Sequence, residues 1–72
     1  MKDYIYRMMD EREDLVEKWE KLTRFKNSNY HNLDDTERYL MQEQVEIIDK
    51  YILILDARIS HAILKEQKED EK

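Results

Sequence analysis

The sequence predicts an all-α protein, a two-helix hairpin that assembles into an oligomeric helical bundle. Three observations lead to this fold class. The 72 residues include no Gly and no Pro, on which tight turns and β-hairpin loops depend. Apolar residues recur at helical spacing in two long stretches. A single polar segment, residues 27–32, separates the two stretches.

The first helix is expected over about residues 2–26. Its apolar positions repeat every three or four residues, which is the pattern of one helix face. They are Ile5, Met8, Met9, Leu15, Val16, Trp19, Leu22 and Phe25. The loop that follows is expected over residues 27–33. Asn27 or Asn29 is predicted to end the helix by taking the left-handed conformation that Gly usually supplies.

The second helix is expected over about residues 34–66. Asp34 is the predicted N-cap, and Glu37 three residues later completes a capping-box spacing. Residues 67–72 are all charged or Gln and are expected to fray. No repeat and no second domain is visible, so residues 1–66 are predicted to form a single helical-hairpin domain.

A hairpin of two helices has too little internal surface for this sequence. The run Tyr51–Leu55 is apolar around more than half of the helix circumference, and one helix seam covers less than that. The protein is therefore expected to self-associate, with a four-helix dimer as the minimum unit.

Composition argues against several classes of function. Without Cys there is no thiolate zinc site, and His31 and His61 are too far apart in sequence to make a metal spacing by themselves. Glycine-rich phosphate loops are excluded, and the net charge of -5 disfavours long nucleic acids. The longest uncharged run has five residues, too few to cross a membrane. The sequence predicts a cytoplasmic, non-enzymatic module with no metal and no cofactor.

Polar residues interrupt the apolar stripes in lines of residues seven apart. On the second helix the line is Glu37, Gln44, Tyr51 and Arg58. On the first helix the two lines are Tyr4, Glu11, Lys18 and Phe25, and Arg7, Asp14, Lys21 and Ser28. Two interpretations stay open. These residues pair with one another and set helix register, or they line a pocket for a ligand with bases and phosphates. The loop, with Lys26, Ser28 and Tyr30, is likewise either helix-termination chemistry or a recognition loop.

Over about residues 3–60 the chain resembles a widespread family of small tailed-phage proteins, some of which are anti-CBASS sponges. The resemblance lies in the order Arg7, Glu11, Leu15, Lys18, Lys21-Leu22, Phe25, Ser28, Tyr30, Leu33, Glu37, Leu40, Gln44, Tyr51, Leu55 and Arg58-Ile59. It implies an oligomer of helical hairpins in the host cell cytoplasm. Such an oligomer would sequester a cyclic dinucleotide immune signal without cleaving it, and so silence the bacterial CBASS response.

On this basis ten residues are candidates for ligand binding, as cations for phosphates, rings for stacking and polar groups at a pocket rim. They are Tyr4, Arg7, Lys18, Lys21, Phe25, Lys26, Ser28, Tyr30, Tyr51 and Arg58. The expected partners are a cyclic dinucleotide and further copies of the chain, with no long nucleic acid and no membrane. Two alternatives remain: an acidic helical module that inhibits a host protein by direct contact, and a purely structural oligomer.

Overall fold

Two antiparallel helices lie side by side, joined by a short turn. The computed structural model describes residues 2–70. Helix α1 spans Asp3–Ser28, a single 3₁₀ turn spans Tyr30–Asn32, and helix α2 spans Asp35–Asp70. The overall dimensions, 59 × 15 × 13 Å, are those of two packed helices. Residues 2–70 contain no strand, and the predicted all-α hairpin is confirmed.

Both helices extend further than the sequence predicted. Helix α1 ends at Ser28 instead of about residue 26, and α2 continues to Asp70 instead of about residue 66. Residues 67–70 of the expected frayed tail are therefore helical. They contain no helix breaker, and Lys2 Nζ lies 3.1 Å from Glu69 Oε2, which ties this end to the start of α1. Residues 71–72 of that tail lie outside the described residues.

The end of α1 does not use a left-handed residue, so that prediction was wrong. Asn29 has φ -111° and ψ 13°, and none of the residues 2–70 has positive φ. Instead, the backbone N–H and the side-chain amide of Asn29 both donate to the carbonyl oxygen of Phe25, each at 3.0 Å. The side chain thus satisfies a C-terminal carbonyl, and the 3₁₀ turn that follows reverses the chain.

The start of α2 is capped as predicted. Asp34 Oδ1 accepts a hydrogen bond from the backbone N–H of Glu37 at 2.7 Å. Such a bond satisfies one of the free donors of the first turn. The cap fixes where α2 begins after the turn.

The hydrophobic core lies toward the open end of the hairpin, away from the turn. Ile5 of α1 and Leu55 of α2 are 0% exposed, and Met8, Ile59 and Ala62 complete the cluster around them. In the described range 2–70, neither helix is long and apolar enough to cross a membrane. The apolar faces are instead directed at each other across one seam.

Polar pairs between the helices lie along both edges of this seam. The Arg12 guanidinium pairs with the Asp56 carboxylate, and the Tyr51 hydroxyl donates to the Glu11 carboxylate. Near the turn, Lys26 Nζ donates to the side-chain oxygen of Gln42. These contacts support the interpretation that some of the polar residues at the seam set register.

Leu55→Ala is expected to lower the free energy of unfolding by about 2–5 kcal/mol, because it empties a fully buried site. The matched control is Leu53→Ala, since Leu53 is 61% exposed and should cost less than about 0.5 kcal/mol. Urea unfolding followed by circular dichroism measures both. Equal losses for the two variants would contradict this placement of the core.

Candidate functional site

The two polar lines predicted from the sequence meet along one side of the hairpin, here called the grooved face. On α1 this face carries the line Tyr4, Glu11, Lys18 and Phe25, and on α2 it carries Gln44, Tyr51 and Arg58. The lines touch through the Tyr51–Glu11 hydrogen bond. They also share grooves on either side of that bond. The seven-residue spacing thus predicted which residues would share a face.

The largest groove on this face, the lysine groove, has a volume of about 450 Å³. This volume lies within the range of small-molecule sites. The ring of Phe25 is 51% exposed and forms part of its wall. The complete lining is Lys18, Lys21, Leu22, Phe25, Gln44 and Ile48. The groove therefore combines two ammonium groups, one amide and an accessible aromatic ring.

The two lysines of this groove differ in their partners. Lys21 Nζ lies 2.9 Å from Glu17 Oε1, one helical turn away, and both side chains are largely exposed. The hydrogen bond from Lys21, together with its charge, lowers the pKa of the Glu17 carboxyl. Lys18 makes no hydrogen bond or ion pair within residues 2–70. Since an exposed i,i+4 pair is weak, both ammonium groups are available to an anion.

Beside the lysine groove lies the tyrosine groove, with a volume of about 300 Å³. Its lining is Ile47, Lys50, Tyr51, Ile54, Leu55 and Arg58. The hydrogen bond to Glu11 raises the pKa of the Tyr51 phenol, burial raises it further, and the nearby charge of Arg58 opposes the shift. The phenol is accordingly held as a protonated donor.

A third groove of about 180 Å³ lies at the open end of the hairpin. Its lining is Tyr4, Met8, Arg58, His61, Ala62 and Lys65. The candidate residues Tyr4 and Arg58 therefore meet here rather than at the lysine groove. Lys65 follows Arg58 by seven residues, so the spacing that identified Arg58 could also have identified Lys65. Gln44 was likewise on a predicted line but was not among the candidates for ligand binding.

Four candidates lie away from all three grooves. Lys26 is engaged with Gln42. The Tyr30 ring lies under the Arg38 guanidinium, 4.2 Å from ring centroid to Cζ, and Arg38 Nε donates to the Tyr30 carbonyl oxygen at 2.8 Å. Tyr30 is thereby a structural residue of the turn. Arg7 and Ser28 are exposed and line none of the three grooves.

The chemistry of the grooved face suits a ligand with flat rings and negative charge. Ammonium and guanidinium groups bind phosphate by charge-assisted hydrogen bonds, and exposed rings stack on bases. In the described part of the chain, no three His, Asp or Glu side chains are placed to hold a metal ion.

The Glu11→Gln variant is expected to lower the pKa of Tyr51 toward the ordinary tyrosine value, because it removes the carboxylate that holds the proton. With a raised folded-state pKa, the stabilisation is complete below about pH 10, the ordinary value, and is lost as the pH rises through the folded-state pKa. In the variant that loss should begin at lower pH. NMR titration of tyrosine ring carbons measures the shift, and an unchanged Tyr51 titration would show that Glu11 does not hold the phenol.

The family comparison covers most of the hairpin. A model of the Sequestin family matches residues 2–61. The match includes the whole of α1, the turn, and α2 through the residues of the lysine and tyrosine grooves. No curated protein and no solved structure matches the chain. Because the family model covers far more than half of its length, the chain belongs to the Sequestin family.

Proposed function

We propose that this protein sequesters a small cyclic nucleotide immune signal, with a cyclic dinucleotide as the expected ligand, and holds it without cleaving it. The family name indicates sequestration. The observation that carries the proposal is the lysine groove, where two ammonium groups and an accessible ring meet in a chain of net charge -5. In this proposal the protein acts in the host cell cytoplasm as a phage inhibitor of CBASS.

Each group in the lysine groove matches a part of a nucleotide. The exposed face of Phe25 is a platform on which a base can stack. Lys18 and Lys21 are point charges for phosphate oxygens. The Gln44 amide has both donors and an acceptor, which is what a base edge requires.

The distribution of charge favours a small ligand over a long nucleic acid. Affinity for long nucleic acid grows with the number of phosphate contacts. Here the cations of the lysine groove form a local site on an acidic chain. A ligand with two phosphates gains from that site without approaching the acidic remainder of the surface.

The lining of the groove supports binding without chemical change. It consists of ammonium, amide, phenyl and hydrocarbon groups. Phosphodiester cleavage requires an activated nucleophile or a metal-bound water. The nearest carboxylate, Glu17, is paired with Lys21.

Lys18→Ala, Lys21→Ala and Phe25→Ala are each expected to weaken binding of a cyclic dinucleotide about ten- to a hundredfold, because each removes one charge-assisted bond or one stacking contact. Isothermal titration calorimetry with a panel of cyclic dinucleotides measures this. The matched control is Arg24→Ala. Arg24 makes the same kind of i,i+4 pair, with Glu20 at 3.5 Å, but lines none of the three grooves.

The panel also includes cyclic ADP-ribose, which has one base and two phosphate charges, because a single lysine groove offers a single aromatic ring. Binding of that compound alone would retain nucleotide sequestration and overturn the dinucleotide. Binding of no nucleotide would overturn the proposal and favour the alternative, an acidic helical module that inhibits a host protein by contact. Equal affinities for Lys21→Ala and Arg24→Ala would displace the site from the lysine groove.

The bound nucleotide is expected to be released unchanged. After prolonged incubation and heat denaturation of the protein, liquid chromatography with mass spectrometry should recover the cyclic compound at its input amount. Recovery of a linear product that requires the intact protein would show that the protein is an enzyme.

A further inference from the structure

The outer side of α2 carries an apolar row that α1 leaves uncovered. It consists of Leu40, Ile47 and Ile54, which are spaced seven residues apart. Ile47 is 64% exposed, and the other two are more than half exposed. Seven residues are almost two helical turns, so the three side chains form a straight seam of the kind found in coiled coils. Ile47 and Ile54 also line the tyrosine groove.

This row is complementary to itself in the antiparallel direction. Leu40 and Ile54 lie at equal distances along the helix on either side of Ile47. A two-fold axis at Ile47 therefore places Ile47 against its own copy and Leu40 against Ile54 of a second copy. Closed dimers use such isologous contacts, in which the same patch serves on both subunits.

The charges that flank the row fit the same arrangement. Glu37 and Arg58 lie at opposite ends of the neighbouring line, and neither makes a side-chain ion pair within residues 2–70. An antiparallel copy brings Glu37 against Arg58 of the second copy, once at each end. A parallel copy would bring like charges together at both ends, which is unfavourable.

We propose that a second copy of the chain packs its α2 antiparallel against this row and completes the ligand site. The same register places Tyr51 of the second copy opposite Gln44, which lines the lysine groove. Each lysine groove then gains a second aromatic ring, so two bases are stacked by two chains and the dimer holds two equivalent sites. The shared site rests on the proposed function, whereas the packing of the two copies stands without it.

The first test is the mass in solution of matched variants, determined by sedimentation equilibrium. The unmodified protein is expected to have twice the mass of the 9.0 kDa chain, or a larger even multiple. Ile47→Glu should give the mass of a single chain, because it places two carboxylates on the two-fold axis. Leu53→Glu is the control, since Leu53 is 61% exposed and lies off the row. A single-chain mass for the unmodified protein, or the same effect from both variants, would overturn the proposal.

The second test reads the register by disulfide crosslinking, since the chain has no Cys of its own. Ile47→Cys alone should crosslink to itself under mild oxidation. Leu40→Cys and Ile54→Cys should each crosslink poorly alone and efficiently when mixed. Efficient crosslinking of Leu40→Cys to itself would indicate a parallel pair and would overturn the antiparallel arrangement.

The third measurement separates this proposal from the proposed function. Ile47→Glu should weaken nucleotide binding roughly tenfold or more through loss of the second ring, while Leu53→Glu should keep it. A helical Ile47→Glu monomer with full affinity would overturn the shared site. An antiparallel dimer that binds no nucleotide would support the packing and overturn the proposed function. A monomeric unmodified protein that binds nucleotide would do the reverse.

Discussion

The structure depends on the fact that two helices make only one seam. That seam buries Ile5 and Leu55 completely and collects the core near the open end of the hairpin. Helix α2 has apolar residues over a wider arc than α1 can cover, so Ile47 and Ile54 remain at the surface. Grooves along the edge of a single seam follow from this mismatch. In this protein the candidate binding surface is a consequence of an incomplete core.

The polar pairs across the seam matter for position more than for stability. Arg12–Asp56 and Tyr51–Glu11 lie on partly exposed side chains, where an ion pair or hydrogen bond contributes little free energy. They do, however, oppose sliding of one helix along the other by a turn. Such a slide would separate Phe25 from Gln44 and remove the lysine groove. The register residues thus maintain the site indirectly.

Local patterns in the sequence were enough to predict the fold class, the Asp34 cap and the grouping of the seven-residue lines, because periodicity and capping act within a few turns of one helix. Contacts between helices were predicted less well. Tyr30 was a candidate for stacking, but Arg38 occupies its ring. The open-end groove was missed, because the sequence pattern gives no direct measure of which residue of α1 lies beside Lys65.

Open grooves and sequestration make different demands on the protein. A sequestering protein must release its ligand slowly, and differences in affinity between related sites arise mostly from dissociation rates. The ring of Phe25 and the ammonium groups of Lys18 and Lys21 face water in the hairpin, where the high dielectric weakens charge-assisted bonds. A second hairpin over the grooved face would exclude water from these groups and strengthen them together. Burial of the apolar row and tight retention of an anion would then be the same event, because the surface that drives association borders the surface that binds.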